Sequence, residues 1–200
     1  MIFCVTRIAT PAAIFIALTG SALAHTGHGG AGGFAHGLIH PVGGLDHLLA
    51  MVAVGLHAAL LGGRALWLVP ATFVTVMALG GAVGAAGYPL PYVEIGIALS
   101  VVVMGLAVAL RVGLPTLAAM ALVGLFAIFH GHAHGAEMSA DASGYAYAAG
   151  FMLTTALLHG AGIALGLLAG QFSEMGGRRV IQAAGSAMAL AGLAILAGIV

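Results

Sequence analysis

The chain carries an unusual number of side chains that can bind a metal. Ten histidines stand beside only five acidic and five basic residues in a sequence of 200. Imidazole nitrogens and carboxylate oxygens together are suitable ligands for divalent first-row transition metals. The residues of these types that favour a shared site are His40, Asp46, His47, Glu94, His130, His134 and Glu137. They predict a metal site, provided that the fold brings them to one place.

Four further histidines are weaker candidates for a metal path: His36, His57, His132 and His159. His57 and His159 fall within apolar stretches, where an ionisable side chain is costly to bury and indicates a function. We interpret these two as candidate steps of a path across the membrane. A hydrogen bond to a neighbouring helix explains His57 equally well. His36 belongs to a stretch that could be a disordered tail or could collect metal.

The composition indicates which kind of fold must position these residues. Apolar residues make up 62% of the chain, charged residues only 5%, and the mean hydropathy is +1.18. Since a water-soluble surface needs about a quarter or more of its residues charged, most of this surface must contact membrane lipid. The chain has no lysine and a formal net charge of zero. It therefore lacks the basic patch that binds nucleic acid.

The N-terminal segment, residues 1–24, has the features of a secretory signal peptide and ends in an A-x-A cleavage pattern. Its apolar run is short and interrupted by Pro11, which disfavours the alternative of an uncleaved transmembrane helix. Cys4 is the sole cysteine, so the mature protein would have neither a disulfide nor a thiolate ligand. Residues 25–42 form a Gly/His-rich extracytoplasmic segment that we expect to be a flexible linker as far as His40.

Residues 43–200 predict an all-α, polytopic membrane domain of six transmembrane helices, since each apolar segment can cross about 30 Å of hydrocarbon. The predicted spans are residues 43–62, 66–86, 91–110, 113–131, 145–169 and 178–199. A cleaved signal peptide places the mature N-terminus outside the cytoplasm, so both termini are expected to be extracytoplasmic. The cytoplasmic connections then carry all four arginines of the mature chain, as the positive-inside rule requires.

Under this topology the candidate ligands gather at one membrane face. Eight of the ten histidines and four of the five acidic residues lie at or near the extracytoplasmic ends of the spans. Unrelated structural histidines would not be expected to gather with nearly every acid, so a metal site is the better interpretation. Glycines at four-residue spacing predict close helix packing, as with Gly162 and Gly166 in the fifth span and Gly80 and Gly84 in the second.

Two motifs carry a resemblance to a known family. Residues 40–55, HPVGGLDHLLAMVAVG, resemble the first-helix signature of the HupE/UreJ family of nickel permeases. Residues 129–137, FHGHAHGAE, resemble its fourth-helix signature, and the likeness extends over the chain to the LHGAG stretch around His159. The resemblance implies metal handling by His40, Asp46, His47, Glu94, His130, His134 and Glu137. His57 lies outside these signatures, and His132 occupies a variable position within one.

The resemblance also implies a function, the uptake of nickel, or in some members cobalt, for delivery to hydrogenase or urease. We therefore expect a permease of the bacterial cytoplasmic (inner) membrane rather than an enzyme, without a resident cofactor. Nickel-enzyme maturation proteins are the expected partners. Since the sequence contains no nucleotide-binding motif, transport would proceed without ATP hydrolysis. The choice of nickel rests on the family alone.

Other functions would use the same residue types. An intramembrane zinc-dependent hydrolase needs three histidines to hold the metal and a carboxylate to activate water. A membrane haem protein needs histidine axial ligands, and a metal sensor or storage subunit binds metal without moving it. Composition leaves these three alternatives open.

Overall fold

The computed structural model describes residues 33–138, 142–171 and 174–200, and this described part contains helices but no strand. Its helices are α1 (Gly33–Gly43), α2 (Leu45–Leu61), α3 (Ala65–Ala85), α4 (Val93–Ala109), α5 (Thr116–Ala136), α6 (Ala142–Ala169) and α7 (Glu174–Leu196). The all-α prediction is confirmed. The predicted signal peptide lies outside the described residues.

Several of these helices are suited to crossing a membrane. Helices α3, α5, α6 and α7 are each long and apolar enough, and α1 with α2 passes the same test as a pair bent by 81°. Helix α4 is apolar but shorter, with 17 residues. The described part therefore contains four candidate spans, or five with the bent pair. This confirms several apolar spans, whereas six of them remain a prediction.

Helix α1 replaces part of the linker that the sequence predicts. Residues from Gly33 to Gly43 are helical and pack against α6, so the expectation of a flexible linker as far as His40 is wrong for this part. The reason is close backbone contact. A side chain at Gly37 would meet the Tyr147 carbonyl, and one at Gly150 would meet the Phe34 carbonyl. Glycine allows helices to approach to this distance. Helix α1 therefore packs against α6 without the apolar periodicity from which a helix is usually predicted.

Helix α5 extends beyond its predicted end, to Ala136 rather than to residue 131. Gly131 and Gly135 pack against the backbone of α3 at Met77 and Gly81, where any side chain would collide. This contact supports the last turns of α5. The histidines after residue 131 consequently lie on a helix at defined angles rather than in a loop.

Helix α2 lies at the centre of the bundle, in contact with α3, α4 and α6. Its middle is fully buried, with Ala50, Met51 and Ala53 at 0% exposure. Gly55 of α2 and Gly162 of α6 bring these two helices into backbone contact, as the glycine spacing predicts. His47 and His57 thus stand near the two ends of a central helix, surrounded by protein rather than lipid.

Candidate metal centre

Three histidines from α2 and α5 form the centre of the site. His47 Nδ1 lies 3.0 Å from His130 Nδ1 and 3.3 Å from His134 Nε2. His47 and His130 are buried and His134 is half-buried. His47 Nε2 and His134 Nδ1 are buried and have no hydrogen-bond partner among the described residues. Since buried polar atoms are nearly always paired in folded proteins, this histidine cluster has capacity for a further ligand.

A serine fixes the tautomer of His130. The Ser100 hydroxyl donates to the Ile97 carbonyl at 2.6 Å, so its oxygen accepts the proton on His130 Nε2 at 2.8 Å. Nδ1 of the neutral ring is then left with a lone pair directed at His47. A hydrogen bond of this kind to the distal nitrogen is how proteins orient a metal-binding imidazole.

The nitrogen separations in the histidine cluster match those between neighbouring ligands of one ion. A transition metal binds imidazole nitrogen at about 2.0–2.1 Å, which places adjacent ligand atoms about 3.0–3.4 Å apart in octahedral or tetrahedral geometry. In the metal-free chain a single proton shared between His47 and His130 accounts for their 3.0 Å separation. The pair can therefore exchange a proton for a metal ion with little movement.

A more accessible group of ligands lies beside the histidine cluster, and His134 belongs to both. One ligand atom from each of His40, His134 and Glu137 lies within 4.8 Å of the other two. His40 and His134 are half-buried and Glu137 is exposed. Two imidazoles and a carboxylate form a mixed nitrogen and oxygen set for a divalent first-row metal. We call His40, His134 and Glu137 the outer group. The His134 ring thus connects this more accessible group to the buried histidine cluster.

Comparison with known proteins identifies the family. The model of the family described as HupE / UreJ protein matches residues 13–195. This chain belongs to the HupE/UreJ family. Protein HupE of Rhizobium leguminosarum bv. viciae is 49% identical over 183 residues, covering 92% of this chain and 94% of the relative. No solved structure matches the chain.

Membership of the HupE/UreJ family confirms the resemblance seen in the motifs. Together with the apolar helices, it makes the chain a multi-pass membrane protein. The match over most of the chain gives no support to the zinc-dependent hydrolase alternative.

In this HupE/UreJ protein the structure brings together His40, His47, His130, His134 and Glu137. Asp46 lies next to them at the start of α2. Its Oδ1 accepts the backbone N–H of His47 at 2.6 Å, and its carboxylate interacts electrostatically with His40. The side chain is half-buried, so it contributes negative charge close to both groups of ligands.

Glu94 lies apart from these contacts, and His36 lies at their edge. Glu94 is exposed in the first turn of α4, and within the described part of the chain no hydrogen bond or ring contact joins it to the histidines. His36 is exposed on α1, with its ring 5.6 Å from that of His40 and 5.5 Å from that of Tyr147. Metal handling by either residue stays a prediction.

His57 and His132 each bind a backbone carbonyl. His57 Nε2 donates to the Val112 carbonyl at 3.0 Å, which ties α2 to the connection between α4 and α5. His132 Nε2 donates to the Tyr88 carbonyl at 2.7 Å, which ties α5 to the turn after α3. Both contacts give these histidines a structural role. His159, by contrast, is 1% exposed, and its ring nitrogens have no partner among the described residues.

Aromatic side chains around the histidines are absent from the sequence prediction. The Phe151 ring lies 4.9 Å from His47 and 4.4 Å from His134, and Tyr147 lies 5.7 Å from His40. These two residues are four apart on α6 and so share one helix face. Their four-residue spacing in the sequence indicates that both rings lie on the same side of α6. Ser100, which orients His130, was detectable as a polar residue within the apolar fourth helix.

Proposed function

We propose that this HupE/UreJ protein moves a divalent transition metal, nickel most readily and cobalt next, across the bacterial cytoplasmic membrane without ATP hydrolysis. The observation that carries the proposal is the double membership of His134. His134 belongs to the outer group with His40 and Glu137, and it also lies beside His47 in the histidine cluster. An ion can pass from one group to the other by exchanging ligands around a single imidazole. Transport needs such linked sites of moderate affinity, from which the ion can leave.

The ligand chemistry narrows the transported ion. The outer group and the histidine cluster offer nitrogen and oxygen and no thiolate, which suits nickel, cobalt and zinc. Oxygen-only ions such as magnesium would not need this number of imidazoles. The family resemblance favours nickel and then cobalt among the remaining three. On this proposal the protein is a permease rather than an enzyme, and it supplies nickel-enzyme maturation proteins.

The proposal includes a topology in which α2 to α7 each cross the membrane. A helix of about 17 residues is the shortest that spans the hydrocarbon core, and α2 and α4 each have 17. With a cleaved signal peptide and extracytoplasmic termini, the outer group faces the extracytoplasmic side. The arginines then lie on the cytoplasmic side, in agreement with the positive-inside rule.

The test is nickel uptake into proteoliposomes that contain the purified protein and an internal nickel-sensitive dye. Wild-type protein should give saturable uptake, and His47→Ala should lower its initial rate at least tenfold, because His47 is the centre of the histidine cluster. Ser186→Ala on the exposed face of α7 is the matched control and should behave as wild type. Wild-type protein that binds nickel in detergent yet moves none would overturn the proposal in favour of a sensor or storage protein.

A further inference from the structure

His159 is a buried imidazole whose ring makes no hydrogen bond within the described chain. It is 1% exposed, and neither Nδ1 nor Nε2 has a hydrogen-bond partner among the described residues. His57 is equally buried, but its Nε2 donates to the Val112 carbonyl. Buried side-chain nitrogens are nearly always paired. One ring nitrogen of His57 is therefore paired within the fold and only its Nδ1 has no partner, whereas both ring nitrogens of His159 lack one in the described chain. His159 thus has the greater capacity for a partner that arrives from outside the chain.

A shared aromatic neighbour places His159 close to the histidine cluster. The Phe73 ring on α3 lies 5.2 Å from the His159 ring and 5.6 Å from the His130 ring, so one aromatic side chain contacts both. An ion that leaves the histidine cluster toward α6 would meet His159 next.

Thr155 and Met77 are two further candidate metal ligands near this part of α6. Thr155 lies one turn earlier on α6 and therefore on the same helix face, and it is 0% exposed. Its hydroxyl donates to Met77 Sδ at 4.0 Å, and Met77 is itself 2% exposed. A hydroxyl oxygen and a thioether sulfur thus meet between α3 and α6, one helical turn from the His159 imidazole. All three are neutral, and ions of borderline softness accept each of them.

A cavity between α3, α5 and α6 lies beside part of this position. It has a volume of about 420 Å³ and is lined by both His134 and Met77, together with Met152 and Phe151. His134 belongs to the outer group, and Met77 contacts Thr155. Space for a partly hydrated ion therefore lies next to one outer ligand and one inner residue, although His159 and Thr155 do not line it.

We propose that His159, with Thr155 and Met77, forms a second, inner binding position for a divalent ion of borderline softness such as Ni²⁺ or Co²⁺. This inference rests on the proposed function, since it names the next step of the same path. The inner position binds more weakly than the outer one for two reasons. Its ligands carry no charge, and an ion already held at the outer ligands repels a second ion. Weak binding at the inner end suits release toward the cytoplasm.

Binding of Ni²⁺ to the purified protein in detergent, followed by titration calorimetry, tests the inner position without any need for flux. Because the outer group and the histidine cluster share His134, they hold one ion at a time and give a single tight binding event. Wild-type protein should therefore show this event and a weaker one at the inner position, and His159→Leu should keep the tight event and lose the weaker one. His159→Cys supplies another ligand and should restore a second event. A single event in wild type, or two events in His159→Leu, overturns the inner position.

Measurements of nickel uptake and of thermal stability distinguish a metal ligand from a residue that only supports the fold. In proteoliposomes His159→Leu should lower the maximal nickel uptake rate at least tenfold while the KM stays within twofold, because capture at the outer group is unchanged. The Tm of the metal-free variant should not fall, since no hydrogen bond is lost. His57→Leu is the matched control and should lower the Tm, because it removes the donor to Val112. Wild-type uptake by His159→Leu, or a Tm lowered as in the control, overturns the inference. Absence of wild-type flux would contradict the proposed function alone, since the binding titration still decides the inner position.

Discussion

The histidines of this chain differ in what their ring nitrogens contact, and that difference separates their roles. His57 and His132 each donate from Nε2 to a backbone carbonyl, which pairs one ring nitrogen within the fold, while Nδ1 of each has no hydrogen bond among the described residues. His47 and His130 face one another with nitrogens 3.0 Å apart, which is a separation that a proton or a metal ion can satisfy. His159 has no partner in the described part of the chain. Residue type and burial alone would have grouped all five together.

At Asp46 the effect of the negative charge can be tested separately from the effect of the hydrogen bond. Its Oδ1 accepts the His47 backbone N–H at 2.6 Å, and the amide oxygen of Asp46→Asn can accept the same bond. We expect the variant to insert and fold normally but to lose nickel uptake, because the negative charge near His40 and His47 is gone. The measurement is nickel uptake by proteoliposomes with matched protein content. Uptake at the wild-type rate would remove the Asp46 charge from the mechanism.

At the scale of whole elements, glycine contacts place the ligands. Gly84 of α3 packs against the His132 carbonyl, and Gly135 of α5 packs against Gly81, so the two helices touch along the turns that carry the α5 histidines. On the other side of the site, α1 bends away from α2 by 81° next to Gly44. This bend brings His40 to His134, with ring centroids 4.8 Å apart.

The contact between α3 and α5 can be tested with one methyl group. A Cβ at Gly131 would collide with the Met77 carbonyl, whereas a Cβ at Gly160 on α6 would meet open space. Gly131→Ala should therefore push α5 away from α3, displace His130 and His134, and weaken nickel binding at least tenfold. Gly160→Ala, the matched control, should bind as wild type and be no less stable, because alanine favours the helix by about 1 kcal/mol over glycine.

Titration calorimetry of both glycine variants against wild type provides the measurement. Equal affinities in all three proteins would show that the close contact between α3 and α5 does not position the ligands.

The sequence predicted the elements better than their contacts. Uncharged apolar runs locate α2, α3 and α4 to within about two residues at each end, because length and hydropathy alone predict an apolar helix of this size. Helix α1 was missed, since it is held by backbone contacts at Gly37 and Gly150 that leave no hydropathy pattern. The signatures identified the residues that meet around His134. They could not show which histidines donate to a carbonyl, because that depends on the partner helix.

At the scale of the whole molecule, the outer group would compete for protons as well as for metal. A histidine binds metal only as the neutral imidazole. Uptake should therefore fall as the outer pH is lowered and protons compete with the metal for these rings, by about tenfold per unit once one imidazole must lose a proton to bind the ion. Initial rates from pH 8 down to the lowest pH at which the protein stays folded, with the internal pH held constant, provide the measurement. A rate that does not change over this range would contradict histidine ligation.

The driving force for nickel uptake is also a property of the whole molecule. Because the transported ion carries two positive charges, we expect the membrane potential to drive it. Each unit of charge moving inward across 100 mV, negative inside, gains about 2.3 kcal/mol, so a divalent ion gains about 4.6 kcal/mol. At about 1.4 kcal/mol for each factor of ten, this sustains a nickel gradient of roughly three orders of magnitude without ATP. A potassium gradient with valinomycin, at equal pH on both sides, should therefore drive nickel accumulation in proteoliposomes. A proton gradient imposed at zero potential should not drive it. The reverse result would indicate exchange of one nickel ion for two protons, which is electrically neutral, and would contradict transport driven by the potential.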